Sequence, residues 1–127
     1  MPDIPLKTST ELLDMKAEEL VPYMAQICAI YLPEKIDSIE EMKYASGLLS
    51  KTSSLYSFTS NLALTSNIRK RNFKKEKKKT EYEEEIAREM VFNSFSEQLK
   101  MNYNTVSRMF SIKQQISQEL KMLGETI

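Results

Sequence analysis

Between Ser38 and Leu123 the chain contains no proline and only one glycine, Gly47. All four prolines of the 127-residue chain lie before residue 34. An all-β fold needs a turn signal roughly every 8–12 residues, and such signals depend heavily on these two residue types. A stretch this poor in them predicts long helices, so the expected fold class is all-α.

Three capping boxes predict where helices begin. In this motif a hydroxyl side chain and a Glu three residues later bind free backbone groups at a helix start. The boxes open at Thr8, Ser38 and Thr80. They divide one predicted helical domain, 1–127, into an N-terminal helical segment (1–33), a helix with a basic end (34–79) and a C-terminal helix (80–124). Because Gly and Pro are absent near Thr80, that box marks either a turn or a point inside one continuous helix.

The N-terminal segment contains two further signals. Pro2 and Pro5 predict an extended lead-in over residues 1–7, since proline biases the preceding residue away from helix. Pro22 is expected to kink or restart the first helix, because proline lacks an amide hydrogen and clashes with the preceding turn.

The stretch from Ser46 to Ser66 is unusually rich in hydroxyl residues, with ten Ser or Thr among its 21 residues. Hydroxyl residues are mediocre helix formers. A strand is therefore the alternative, with one face formed by Tyr56, Phe58, Leu62 and Leu64. We favour a helix, because an isolated strand has nothing to pair with. Small hydroxyl side chains on a helix would permit close approach of a second helix.

Apolar residues recur at steps of three and four towards the C-terminus, which predicts a long amphipathic helix ending near Gly124. From Thr80 to Leu123 it would measure about 65 Å, whereas a spherical chain of this size is only about 36 Å across. Either the helix is broken or it projects and buries its apolar stripe against other chains. The spacing favours the second, so we predict a homo-oligomer assembled through Phe95, Leu99, Tyr103, Val106, Phe110, Ile112, Ile116 and Leu120.

The composition offers little for catalysis. Histidine, the commonest general base and metal ligand, is absent. Cys28 lies in an apolar run that should raise its thiol pKa, and no glycine-rich phosphate loop exists. The consecutive acids Glu81 to Glu85 point around a helix instead of converging on a cation. We therefore expect a protein that is not an enzyme and uses no metal or cofactor.

The N-terminus has no basic start followed by an apolar stretch, so it does not read as a signal peptide. The most apolar stretch, Leu20 to Leu32, is too short to cross a bilayer. One cysteine offers no disulfide framework. These features predict a soluble protein of the cytoplasm, or of the host-cell cytoplasm for a viral chain, without a membrane partner.

The strongest candidate for function is a basic run. Eight of the chain's 18 basic residues fall between positions 69 and 79. At this density Lys and Arg neutralise several phosphates and release counterions, and an aromatic ring among them can stack on an unpaired base. The predicted nucleic-acid site comprises Arg69, Lys70, Arg71, Phe73, Lys74, Lys75, Lys77, Lys78 and Lys79.

Two plainer interpretations stand beside this one. The acids between Glu81 and Glu89 could neutralise the basic run and leave only a solvated charge block. Along one continuous helix Lys77 would pair with Glu81 and Lys79 with Glu83, whereas a turn would fold the acids back beside the lysines. Phe73 has a plainer interpretation of its own, as a core anchor of the oligomer.

The segment Val106-Ser107-Arg108-Met109-Phe110-Ser111-Ile112-Lys113-Gln114-Gln115-Ile116 resembles the end of the UvsY recombination mediators of tailed bacteriophages. The order of features over residues 44–122 is also similar: a helix with Leu55-Tyr56, a Lys/Arg-dense centre and a long closing helix. The resemblance implies a ring-like homo-oligomer that binds single-stranded DNA through the central basic residues. It also implies two protein partners, a phage recombinase and a single-strand-binding protein. In that family the mediator helps to load the recombinase onto the strand that the single-strand-binding protein coats.

A second hypothesis comes from a different class of protein. The same apolar stripe would suit a helical assembly or adaptor protein, either a viral structural component or an inhibitor of a host protein. In that case the charge block is ordinary surface, and the chain oligomerises without affinity for nucleic acid.

Overall fold

The computed structural model describes residues 6–124, in which there are four helices and no strand. They are α1 (Ser9–Asp14), α2 (Ala17–Ile27), α3 (Ile39–Lys75) and α4 (Lys79–Met122). The all-α prediction is confirmed, with two long helices after a shorter helical segment. Residues 1–5 of the predicted lead-in and 125–127 lie outside the described residues. No helix within 6–124 combines the length and apolar character needed to cross a bilayer.

Two of the three predicted capping boxes start helices. The Thr8 hydroxyl accepts from the Glu11 amide at 3.2 Å, and the Ser38 hydroxyl accepts from the Glu41 amide at 3.1 Å. In each box the Glu carboxylate accepts in turn from the backbone amide of the cap residue. Hydrogen bonds from Thr8 lower the pKa of the Glu11 carboxyl below its usual value. The third box is not used, because α4 begins at Lys79 and Thr80 lies inside its first turn.

The break in the N-terminal segment falls earlier than expected. The backbone is extended at Met15 and Lys16, with ψ angles of 145° and 149°, and this separates α1 from α2. Pro22 lies inside α2. The expectation that Pro22 itself restarts the helix is therefore wrong.

Helices α3 and α4 form an antiparallel hairpin along a common seam. Their buried positions follow steps of three and four, the spacing that keeps one stripe facing a partner helix. On α3 the buried residues of the seam are Ala45, Leu48, Thr52, Thr59, Leu62 and Ser66. On α4 they are Glu85, Arg88, Phe92, Ser96, Leu99 and Val106.

The hydroxyl-rich stretch forms the middle of α3, so the helix interpretation is confirmed and the strand alternative is wrong. Thr52, Thr59 and Ser66 are fully buried in the seam. Thr59 and Ser96 share a hydrogen bond of 2.7 Å between the two helices. Thr52 donates to the Leu48 carbonyl one turn back, at 2.7 Å, which satisfies its hydroxyl without a partner helix. Small hydroxyl residues thus contribute directly to the helix–helix contact.

Helix α4 is unbroken over 44 residues, or about 66 Å. Its partner α3 has 37 residues, or about 56 Å. The molecule is therefore an elongated hairpin, and the spherical shape assumed from chain length does not apply. Part of the apolar stripe on α4 is buried against its own chain.

This placement corrects the role expected for part of the assembly stripe. Leu99 and Val106 are fully buried inside the chain's own core, where a partner does not reach them. Phe95 and Phe110 pack against that core from its edge. The stripe residues more than one third exposed are Tyr103, Ile112 and Ile116, while Leu120 is partly exposed.

The N-terminal segment covers one side of the hairpin. Leu12, Leu20 and Met24 form one buried cluster with Phe92 and Leu99. A second cluster around Ile36, Ala45, Leu48 and Val106 lies further along the hairpin. Cys28 belongs to the first cluster, and burial raises its thiol pKa to about 11. The thiol is therefore protonated at neutral pH and is not an activated nucleophile.

A three-residue turn, Glu76 to Lys78, joins the two long helices. The Lys78 amide donates to the Phe73 carbonyl at 3.0 Å and the Lys77 amide to the Lys74 carbonyl at 3.2 Å. This pair of bonds is the Schellman motif, which requires a left-handed residue just after the helix end. Lys77 occupies that position with φ of 58°. At the end of α4 the equivalent position is Gly124, with φ of 77°, in agreement with the sequence-based expectation.

Replacing Lys77 with glycine should stabilise the protein. A side chain in the left-handed region costs about 1–2 kcal/mol, and glycine avoids that cost. We expect Lys77→Gly to raise the free energy of unfolding by about 1 kcal/mol, measured by urea denaturation followed by circular dichroism. Lys77→Ala removes the same charge but keeps the Cβ atom, so it should give no such gain. Equal gains in both variants would mean that relief of charge repulsion, and not backbone conformation, is responsible.

Candidate nucleic-acid interface

The turn between α3 and α4 brings much of the predicted basic site to one end of the molecule, the hairpin tip. There a shallow depression is lined by Phe73, Lys74, Lys77, Lys78, Lys79 and Tyr82. Both aromatic rings are partly exposed. The structure therefore brings together Phe73, four of the predicted cations and Tyr82. We call this surface the tip depression.

The hairpin tip carries excess positive charge. Residues 71–83 contain six cations and three carboxylates, a net charge of +3. Arg71, Lys74, Lys75, Lys77 and Lys79 are exposed and form no ion pair with any other residue in 6–124. Lys78 lies 3.1 Å from the Glu76 carboxylate, but both side chains are more than half exposed. Exposed pairs of this kind contribute little, so the Lys78 charge is available to an anion.

Arg69 has a different role from its neighbours in the basic run. Its Nε lies 3.2 Å from a carboxylate oxygen of Glu85 on α4. Its other nitrogens face the end of α1, where one donates to the Leu13 carbonyl at 3.1 Å and another lies 3.7 Å from Asp14. The guanidinium also sits 5.9 Å from the centre of the Phe73 ring. Arg69 therefore connects α3 to both α1 and α4, and it lies about one helical turn before Phe73.

Lys70 is likewise paired within the chain. Its Nζ lies 3.0 Å from Glu89, whose carboxylate also accepts from the Asn67 amide at 3.2 Å. The expected pairs Lys77–Glu81 and Lys79–Glu83 are absent from the ion pairs among the described residues. The acids of α4 thus neutralise only the start of the basic run. Of the nine predicted residues, Arg69 and Lys70 belong to internal pairs, while the other seven lie at the hairpin tip.

Glu85 has a structural role that the sequence did not predict. Its side chain is fully buried, although it was expected on a solvated acidic face. The Ser66 hydroxyl donates to its carboxylate, and Arg88 donates to it at 2.9 Å. Its burial could have been predicted from the seam spacing. Glu85 lies seven residues before Phe92, and residues seven apart face the same side of a paired helix.

Arg88 completes the connection to the N-terminal segment. Its Nε donates to the Met15 carbonyl at 2.6 Å, while its second terminal nitrogen lies 3.6 Å from Glu84. With Arg69, it satisfies backbone carbonyls where α1 ends, which otherwise have no partner within the helix. We call Glu85, Arg69, Arg88 and Ser66 the buried charge network.

The chemistry available at the hairpin tip is that of binding. Clustered ammonium groups attract phosphates, and two aromatic rings offer stacking surfaces beside them. Within residues 6–124, no three or more acidic or cysteine side chains converge in a way that would hold a metal ion.

Compared with protein-family models, curated proteins and solved structures, the chain matches none of them.

The buried charge network predicts a contrast between two nearby arginines. Arg69→Ala should lower the free energy of unfolding by about 2 kcal/mol, because buried Glu85 loses an ion-pair partner. Arg71→Ala removes the same type of side chain from an exposed position and should change it by less than about 0.5 kcal/mol. Urea denaturation of both variants gives the comparison. Equal losses would contradict a structural role specific to Arg69.

Proposed function

We propose that this chain binds single-stranded DNA through the hairpin tip and acts as a homo-oligomeric recombination mediator. The observation that supports the binding role is the tip depression, where Phe73 and Tyr82 lie among four lysines. Neither the order of residues nor the number of charges predicts that these two rings line the same depression.

The combination of rings and cations suits a single strand better than a duplex. The bases of a single strand are free to stack on aromatic side chains, at about 1–3 kcal/mol per base. In a duplex the bases are already stacked and paired, so their faces are not available to the two rings. The ammonium groups of the tip contribute attraction that does not depend on sequence and weakens with salt.

The mediator part of the proposal draws on the resemblance of residues 106–116 to the UvsY mediators. In this role an oligomer holds several hairpin tips together, and each tip contacts the same strand. Linked weak sites bind far more tightly than one site alone. Such an oligomer would hold a strand coated by a single-strand-binding protein while a recombinase is loaded.

Removing charge from the hairpin tip should weaken DNA binding. We expect a variant with Lys74, Lys75, Lys77 and Lys78 changed to Ala to bind a labelled oligothymidine much more weakly. The slope of log affinity against log salt concentration should become less steep by about 3, since each lost phosphate contact on a single strand removes about 0.7 from it. Fluorescence anisotropy across a salt series measures both quantities.

A matched variant separates the hairpin tip from overall charge. Lys16, Lys43, Lys51 and Lys121 are exposed and lie away from the tip. Changing these four to Ala alters net charge equally and should leave most of the affinity intact. Loss of binding in both variants, or no binding by the wild-type protein at low salt, would refute the proposed site.

A helical assembly or adaptor protein is the second candidate, and one observation favours it. Ile112 and Ile116 are each about half exposed, and Leu123 is 74% exposed. Spaced four and seven residues apart, they share one face of α4. An apolar face of this kind suits contact with another protein.

This face predicts which substitution disperses an assembly without unfolding the chain. Ile116→Asp should reduce the mass measured by light scattering to the 14.8 kDa of one chain, because a charge opposes burial of the face. Gln118→Asp adds the same charge to an exposed position away from Ile116 and should leave the mass unchanged. A wild-type mass of 14.8 kDa at micromolar concentration would contradict oligomerisation.

A further inference from the structure

Three depressions lie in line along one side of the α3–α4 hairpin. The first is the tip depression. The middle one includes Ser60, Asn67, Glu89, Asn93, Ser96 and Glu97, and the far one is lined by Ser53, Tyr56, Lys100 and Tyr103. Residues seven apart return to the same side of a paired helix. The lining residues follow that period, with Lys74, Asn67, Ser60 and Ser53 on α3 and Tyr82, Glu89, Ser96 and Tyr103 on α4.

The depressions are therefore sections of one groove, which we call the hairpin groove. The N-terminal segment packs on the other side of the seam, against Leu62, Phe92 and Leu99. At the far end of the groove, Tyr56 and Tyr103 are 37% and 39% exposed. In the middle section Asn93 and Glu97 are exposed, whereas Ser96 is buried.

We propose that the hairpin groove is the track of the DNA strand that the tip engages, and that Tyr103, Tyr56 and Lys100 form a second contact at its far end. This inference rests on the proposed function and extends its site beyond the predicted basic run. At the far end, two tyrosine rings lie beside an ammonium group. This is the same combination of groups as in the tip depression.

The charge and polarity of the middle section fit such a strand. The exposed amide of Asn93 can bind sugar and phosphate oxygens, whereas the Ser96 hydroxyl and the Asn67 side-chain amide are already bound to Thr59 and Glu89. The Glu89 carboxylate is already neutralised by Lys70 at 3.0 Å. Glu97 is the opposing feature, because it is exposed and has no ion pair with another residue in 6–124.

Charge favours a strand over a second hairpin as the occupant. Six of the nine residues that line the centre of the groove are Ser, Asn or Glu, and the other three are Tyr56, Ala63 and Leu64. At its two ends the groove carries the positive hairpin tip and Lys100, which attract a polyanion. From Tyr82 to Tyr103 it extends over 21 residues of α4, or about 32 Å. A strand stacked at about 3.4 Å per nucleotide needs about nine nucleotides to cover that length.

The test compares oligothymidines of two lengths, one of 5 nucleotides and one of 15. The short strand reaches only the hairpin tip, whereas the long strand reaches Tyr103. Tyr103→Ala and Lys100→Glu should each weaken binding of the 15-mer about tenfold and leave the 5-mer unchanged. Glu97→Gln should tighten binding of the 15-mer by about fivefold at low salt, because it removes a negative charge from the track.

Matched controls use the same changes away from the groove. Tyr31 is 79% exposed and Lys43 is exposed, and neither lines the groove. Tyr31→Ala and Lys43→Glu should bind both oligonucleotides as the wild-type protein does, and circular dichroism verifies folding of every variant.

The outcomes separate this inference from the proposed function. If the wild-type protein binds both strands and the groove variants bind the 15-mer normally, the tip site stands and the groove track is refuted. If the wild-type protein binds neither strand at low salt, the proposed function itself fails. If the groove variants change only the mass measured by light scattering, the groove is a contact between copies of the chain, which also overturns the track.

Discussion

The buried carboxylate of Glu85 is the contact on which the arrangement of the other helices depends. Arg69 from α3, Arg88 from α4 and the Ser66 hydroxyl all bind it. Taking a carboxylate out of water costs several kcal/mol unless it is paired and hydrogen-bonded. The same two arginines bind the carbonyls of Leu13 and Met15. One buried charge therefore sets the packing of α3 against α4 and the position where α1 docks.

This network also divides the basic run into two parts. Arg69 and Lys70 lie where α3 still faces α4, and the acids of α4 neutralise them. Beyond them the helices turn, and the remaining cations have fewer acidic neighbours. The acidic block of α4 thus fixes the base of the hairpin and leaves the tip positive. Although the net charge of the chain is zero, the hairpin tip carries an excess of positive charge.

The two sides of the hairpin differ in chemistry. One side is apolar around Phe92 and Leu99 and is covered by the N-terminal segment. The other carries Ser60, Asn67, Asn93 and Glu97 between aromatic residues, and Asn93 and Glu97 are exposed. A hairpin buried on one side alone has a stable core and still offers a long polar surface. The proposed binding of single-stranded DNA uses that second surface together with the hairpin tip.

The sequence by itself determined the helical class, the starts of α1 and α3, and the presence of a basic cluster with Phe73. These features depend on neighbours within about one helical turn: capping hydroxyls, apolar spacing and the scarcity of Gly and Pro. Only the tertiary structure decided that Leu99 and Val106 of the α4 stripe pack on their own chain, that Arg69 is structural and that Glu85 is buried. Those outcomes depend on contacts between distant residues, such as Arg88 with Met15, 73 positions apart. Periodicity identifies the face of a helix that is buried, but the partner that buries it is set by the path of the whole chain.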